Sequence, residues 1–76
     1  MENTKVNSFN VKHIIIKHLN FLIKDEKEAI DGYNKVLKYS INTRLQMTTR
    51  KLTEIRNEEI KHLNELEELK SHFEQW

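Results

Sequence analysis

Residues 15–36 read IIKHLNFLIKDEKEAIDGYNKV, and residues 45–76 read LQMTTRKLTEIRNEEIKHLNELEELKSHFEQW. In the first stretch Ile15, Leu19, Leu22, Ala29, Tyr33 and Val36 recur at alternating steps of four and three, with Glu26 seated among them. In the second, Leu45, Thr48, Leu52, Ile55, Leu66, Leu69, Phe73 and Trp76 mark the same kind of seam, with Glu59 and His62 on it. Steps of three and four place side chains on one face of an α-helix. The chain therefore predicts two amphipathic helices, each carrying ionisable groups where the pattern calls for apolar ones. Ionised groups are almost never buried unless they are paired or bind a metal. Glu26 and Glu59 are also equally distant from Asn42–Thr43. An antiparallel hairpin closed there sets the two carboxylates at one height, facing each other.

Working outward, the fold class is all-α, with residues 1–8 as a flexible arm, helix 1 over about 9–40, a turn at about 41–43 and helix 2 over about 44–75. Ser8 or Asn7 is the candidate cap of helix 1. Ile16, Ile23, Ile30 and Leu37 widen its seam into the broad stripe of a bundle helix. Asn42 tolerates the left-handed conformation that closes a helix. Thr43 with Gln46 has the spacing of a capping box. The absence of proline and the single glycine, Gly32, favour long helices. For the same reason one unbroken helix is the competing reading. Gly32 marks either tolerance or a close helix approach. On the hairpin reading Lys17 faces Glu68 and His18 faces Glu67, while Lys35, Lys38, Arg44, Arg50 and Lys51 crowd the turn end. A second hairpin with its turn at the opposite end would match that basic end.

Seventy-six residues make one domain at most. A lone hairpin of this size buries little and needs a disulfide, a metal or a partner chain. There is no cysteine, which excludes disulfides, thiolate metal sites and cysteine nucleophiles. The formal charge of +1 argues against nucleic acid as the main partner, and the longest apolar run, Ile14-Ile15-Ile16, cannot span a bilayer. With no signal peptide visible, the expectation is a cytoplasmic protein with neither nucleic-acid nor membrane partners.

Glu59 and His62 are spaced i, i+3 and leave one helix face together. Carboxylate with imidazole suits iron, manganese or zinc. With Glu26, one hairpin offers two Glu and one His. Two hairpins about a two-fold axis offer four Glu and two His, the ligand set of di-metal four-helix bundles. Each motif alone is weak, and a buried Glu can instead set register or oligomeric state. Glu28 points elsewhere, Glu58 neighbours the seam, and His13, His18 and His72 lie away from the central level. Tyr33, one heptad after Glu26, is a packing residue or a neighbour of the metals.

Asp25–Tyr33 (DEKEAIDGY) and Arg56–Leu63 (RNEEIKHL) resemble the ligand helices of rubrerythrins and other ferritin-like proteins. Glu26 and Tyr33 match the Glu-x-x-Ala-x-x-x-Tyr motif, and Glu59 and His62 match Glu-x-x-His. The likeness covers roughly residues 15–70, half of the usual four-helix unit. It is similar to the half-bundle members, such as encapsulated ferritins, that build the di-iron site across a homodimer. There is no Cys-rich rubredoxin module and no recognisable encapsulation tail. The resemblance implies a hairpin that homodimerises, or assembles further, into a ferritin-like four-helix bundle. It also implies metal ligands Glu26, Glu59 and His62, two irons per dimer, Tyr33 beside the site, and ferroxidase-like oxidation of Fe(II) by dioxygen or peroxide. The alternative is a non-catalytic helical assembly protein whose buried polar residues set register.

Overall fold

The computed structural model describes residues 8–76. Two helices, α1 (Ser8–Asn42) and α2 (Gln46–Glu74), pack against each other as an antiparallel hairpin, a rod of 62 × 17 × 14 Å. The single-helix alternative is thereby excluded. The helices run longer than the average because nothing in either sequence breaks them.

The turn lies slightly later than its expected place, at Thr43-Arg44-Leu45. The Leu45 amide donates to the Ser40 carbonyl at 2.9 Å, and the Arg44 amide to the Ile41 carbonyl at 3.1 Å. This is the paired closure of a Schellman motif, with Arg44 in the left-handed conformation at φ 59°. Arg44, not Asn42, takes the strained position. The capping box is also corrected. Leu45 caps α2 without a side-chain hydrogen bond. The Thr43 hydroxyl instead approaches the Tyr39 and Ser40 carbonyls, at 2.9 and 3.3 Å, so it serves the end of α1. The Asn7 cap and most of the proposed arm lie outside the described residues.

The inter-helix seam runs one line over from the expected one. Leu19, Ile23 and Leu37 are the buried apolar residues, flanked by half-buried Ile16, Ile30, Tyr33, Leu52, Leu63, Leu66 and Phe73. Leu22, Val36, Ile55 and Leu69, placed on the seam by spacing alone, are 41–49% exposed. The apolar stripe of α1 is two lines wide. One hairpin partner covers only the line through Ile23, Ile30 and Leu37. The heptad lines Leu22–Ala29–Val36 and Ile55–His62–Leu69 are left as an open face, because residues seven apart drift only about 20° around a straight helix.

Near the turn the seam turns polar. Ser40 is buried, its hydroxyl 2.8 Å from that of Thr49 and 3.2 Å from the Leu37 carbonyl. Thr49 and Thr53 donate back to the carbonyls of Leu45 and Thr49, at 2.8 and 2.7 Å. At the far end, the Lys12 ammonium donates to the Glu74 and Trp76 carbonyls at 3.1 and 3.2 Å. It satisfies the free carbonyls of a helix end, where a cation is also favoured by the helix dipole. Glu67 lies 3.8 Å from Lys27, whereas spacing had set it opposite His18. Both partners are well exposed and the pair contributes little. A Cβ built on Gly32 meets nothing within 4 Å, so no close approach within the hairpin requires this glycine.

Candidate metal centre

Because the turn centres on Arg44, the residue level with Glu26 is His62 rather than Glu59. Glu59 stands one helical turn nearer the loop, about 4.5 Å along the axis, and reaches the same place from there. One donor atom from each of Glu26, Glu59 and His62 lies within 4.8 Å of the other two. The three residues singled out by spacing are thus brought together.

Glu59 Oε1 lies 3.1 Å from His62 Nδ1. With the proton on Nδ1, the imidazole donates to Glu59 and its Nε2 carries a free lone pair. Glu59 is the more enclosed of the two; the His62 side chain is 56% exposed against 22% for Glu59. Glu26 is half-buried, and its Oε2 is shut away from solvent with no hydrogen-bond partner. Burial raises the Glu26 carboxyl above its ordinary value. The Glu59 charge and a hydrogen bond to Glu59 raise it further, His62 opposes, and Asp25 adds to the rise. A cation between the two carboxyls would relieve that opposition.

A groove beside the trio is lined by Leu22, Asp25, Glu26, His62, Glu65, Leu66 and Leu69. It lies on the open face, so the trio sits at the foot of the uncovered apolar lines. Spacing had not singled out Asp25 and Glu65. Glu65 follows His62 by one turn, a signal that was present; Asp25 reaches the groove from a position off the seam, which periodicity hides. Arg56, one turn before Glu59, was also missed. Its guanidinium donates to Asn34 Oδ1 at 3.1 Å and Asn57 Oδ1 at 3.2 Å.

Tyr33 is half-buried on α1, about 10 Å along the axis from Glu26. Its hydroxyl makes no hydrogen bond to Glu26, Glu59 or His62. Glu28 and Glu58 are exposed and stand outside the trio. His13, His18 and His72 are likewise apart; His72 accepts from the Trp76 indole at 3.5 Å.

The donor set fits a divalent transition metal. It is all oxygen and nitrogen, it carries negative charge, and the buried Glu26 oxygen lacks the partner a cation would provide. Comparison of the chain with protein-family models, with curated proteins and with solved structures finds no match, so the reading of this centre stands on its own geometry.

Proposed function

We propose that two copies of this hairpin pair through their open faces into a four-helix bundle that holds a di-iron centre and oxidises Fe(II) with dioxygen or peroxide. The observation that carries the reading is the convergence of Glu26, Glu59 and His62 around a buried, unpartnered carboxylate oxygen. One copy supplies three donors, and a second copy would double them to four carboxylates and two imidazoles. The same docking would cover Leu22, Val36, Ile55 and Leu69, which a hairpin with three buried apolar residues among those described has reason to bury. Pairing with the turns at opposite ends keeps like-charged turn ends apart.

Each residue has a part. Glu59 is the bridging candidate, Glu26 and His62 are terminal ligands, and Leu22, Leu66 and Leu69 exclude water. Carboxylates suit iron in both oxidation states because they adapt their binding mode as charge changes. Two irons held together supply two electrons at once, which the reduction of dioxygen to peroxide, or of peroxide to water, requires. Tyr33 stands near enough to the centre to shape its surroundings, but not as a ligand.

Anaerobic Fe(II) titration followed by air exposure tests the reading, with sedimentation equilibrium on the same samples. Binding should saturate at two irons per dimer, and Fe(III) should form faster than in buffer. A folded monomer that retains no metal would sink the proposal. A metal-free dimer with no oxidase activity would leave an assembly protein whose Glu26 and Glu59 set register.

A further inference from the structure

Between Gly32 and Thr53 the chain carries Lys35, Lys38, Arg44, Arg50 and Lys51 and not one acidic residue. The other 54 residues hold eight Lys or Arg against twelve Asp or Glu, so the formal charge of +1 averages a turn end of +5 with a remainder of −4. The expectation of no membrane partner rested on that average and on the lack of a spanning segment. Neither bears on a surface contact.

The same end exposes its apolar side chains. Tyr39 is 72% exposed, Ile41 59%, Leu45 52% and Met47 75%, all within nine residues around the turn. Elsewhere along the rod, exposed apolar side chains lie on the heptad lines of the open face and, off them, at Ile14, Phe21 and Ile60; here four cluster at the end of a shaft only 17 × 14 Å across. Exposed apolar groups ringed by cations are the pattern of proteins that lie on anionic bilayers. The cations meet the headgroups, and the aromatic and aliphatic tips reach the acyl boundary. A nucleic acid would engage the cations but leave Tyr39, Ile41, Leu45 and Met47 in water. A second copy packed turn to tail would set Glu65, Glu67, Glu68 and Glu74 of α2 beside the cations, but those carboxylates supply no apolar cover for the four side chains at the tip.

We propose that the turn end, Tyr39, Ile41, Leu45 and Met47 within the collar of Lys38, Arg44, Arg50 and Lys51, is a docking tip for an anionic phospholipid surface, which the rod meets end-on; Lys35, behind the collar, is paired with Asp31 at 3.2 Å. The metal reading and this one do not depend on each other. The contact is peripheral, since no helix is long and apolar enough to cross a membrane.

Flotation of the full chain with phosphatidylcholine vesicles containing about one-third phosphatidylserine tests the tip. Binding should be at least tenfold stronger than to phosphatidylcholine alone and should fall as salt screens the collar. Arg50→Gln and Lys51→Gln should each weaken it by about fivefold, the effect of one cation near an anionic leaflet. Tyr39→Ser with Met47→Ser should weaken it at least tenfold, with circular dichroism confirming intact helices. In a Trp76→Phe background, Met47→Trp should show a blue-shifted emission on binding. Equal binding to neutral vesicles, or none to anionic ones, overturns the proposal. So does the absence of a shift at position 47. Salt-sensitive binding to duplex DNA that ignores the Tyr39 and Met47 changes would mark a nucleic-acid surface instead. Dissociation of an oligomer by those changes would mark an interface between copies; both results also overturn it.

Discussion

The seam between the helices is interrupted by polar groups in two places, and the two are built differently. At the turn, Ser40, Thr49 and Thr53 are small, neutral and fully hydrogen-bonded. The Ser40 and Thr49 hydroxyls share two protons among the Leu37 carbonyl, the Leu45 carbonyl and each other, so either can donate across the seam while the other accepts. At mid-rod, Glu26, Glu59 and His62 include two like-charged groups, a carboxyl pushed above its ordinary value and a buried oxygen with no partner. The first cluster is complete within the chain. In the second, the Glu26 oxygen is left without a hydrogen-bond partner among the described residues. The two polar clusters thus differ in satisfaction, not in polarity.

The largest expected effect separates the clusters by metal response. Glu59→Ala or His62→Ala should abolish Fe(II) binding in a calorimetric titration, while Ser40→Ala and Glu28→Ala should leave it unchanged. Metal loss on Ser40→Ala alone would erase the distinction.

Next in size is Glu26→Leu, which joins Ile23 and Ile30 into one apolar line. Melting of the metal-free protein should show a gain of about 1–4 kcal/mol, the range seen when buried charges give way to packed apolar groups. The stabilisation by metal should vanish with it. A destabilised variant would mean that Glu26 is as satisfied as Ser40. The pH dependence sharpens the same point. A carboxyl raised in the folded state favours folding most below its unfolded pKa, near 4.5, and that contribution is lost as pH rises through the folded value. The stability of metal-free protein should therefore fall on going from pH 4.5 toward neutrality, and Glu26→Gln should flatten the slope.

Smaller effects probe the satisfied side. Ser40→Ala should cost about 1 kcal/mol in denaturant unfolding, because it removes the buried hydroxyl that pairs with Thr49. Gly32→Ala should add about 0.5–1 kcal/mol, since its Cβ meets open space on a helix. A loss there would reveal a close partner that the hairpin itself does not contain.

Much of this was legible in the residues. The hairpin followed from two three-and-four seams around one polar break, and the trio from the ionisable groups on them. What spacing missed came from geometry that periodicity does not encode. An apolar stripe two lines wide cannot say which line meets the near neighbour, so Leu22 and Val36 were exchanged for Ile23 and Leu37. The turn slid to Arg44 because the Schellman hydrogen bonds from Arg44 and Leu45 outweighed the general preference for Asn in a left-handed position. That slip moved the level opposite Glu26 from Glu59 to His62. The site tolerated it because Glu-x-x-His spans one turn.

The clasp of Lys12 on the Glu74 and Trp76 carbonyls brings the start of α1 and the end of α2 to the same end of a 62 Å rod. With two copies packed turn to tail, the end of α2 in one copy is a full rod length from the start of α1 in the other. A tandem gene duplication could not join them by a short loop. It would need a crossover running along the bundle, on the order of 18 extended residues, which is the kind of long connection that distinguishes single-chain ferritin-like bundles from up-down ones. Under the proposed pairing, two separate copies would reach the four-helix arrangement without that crossover.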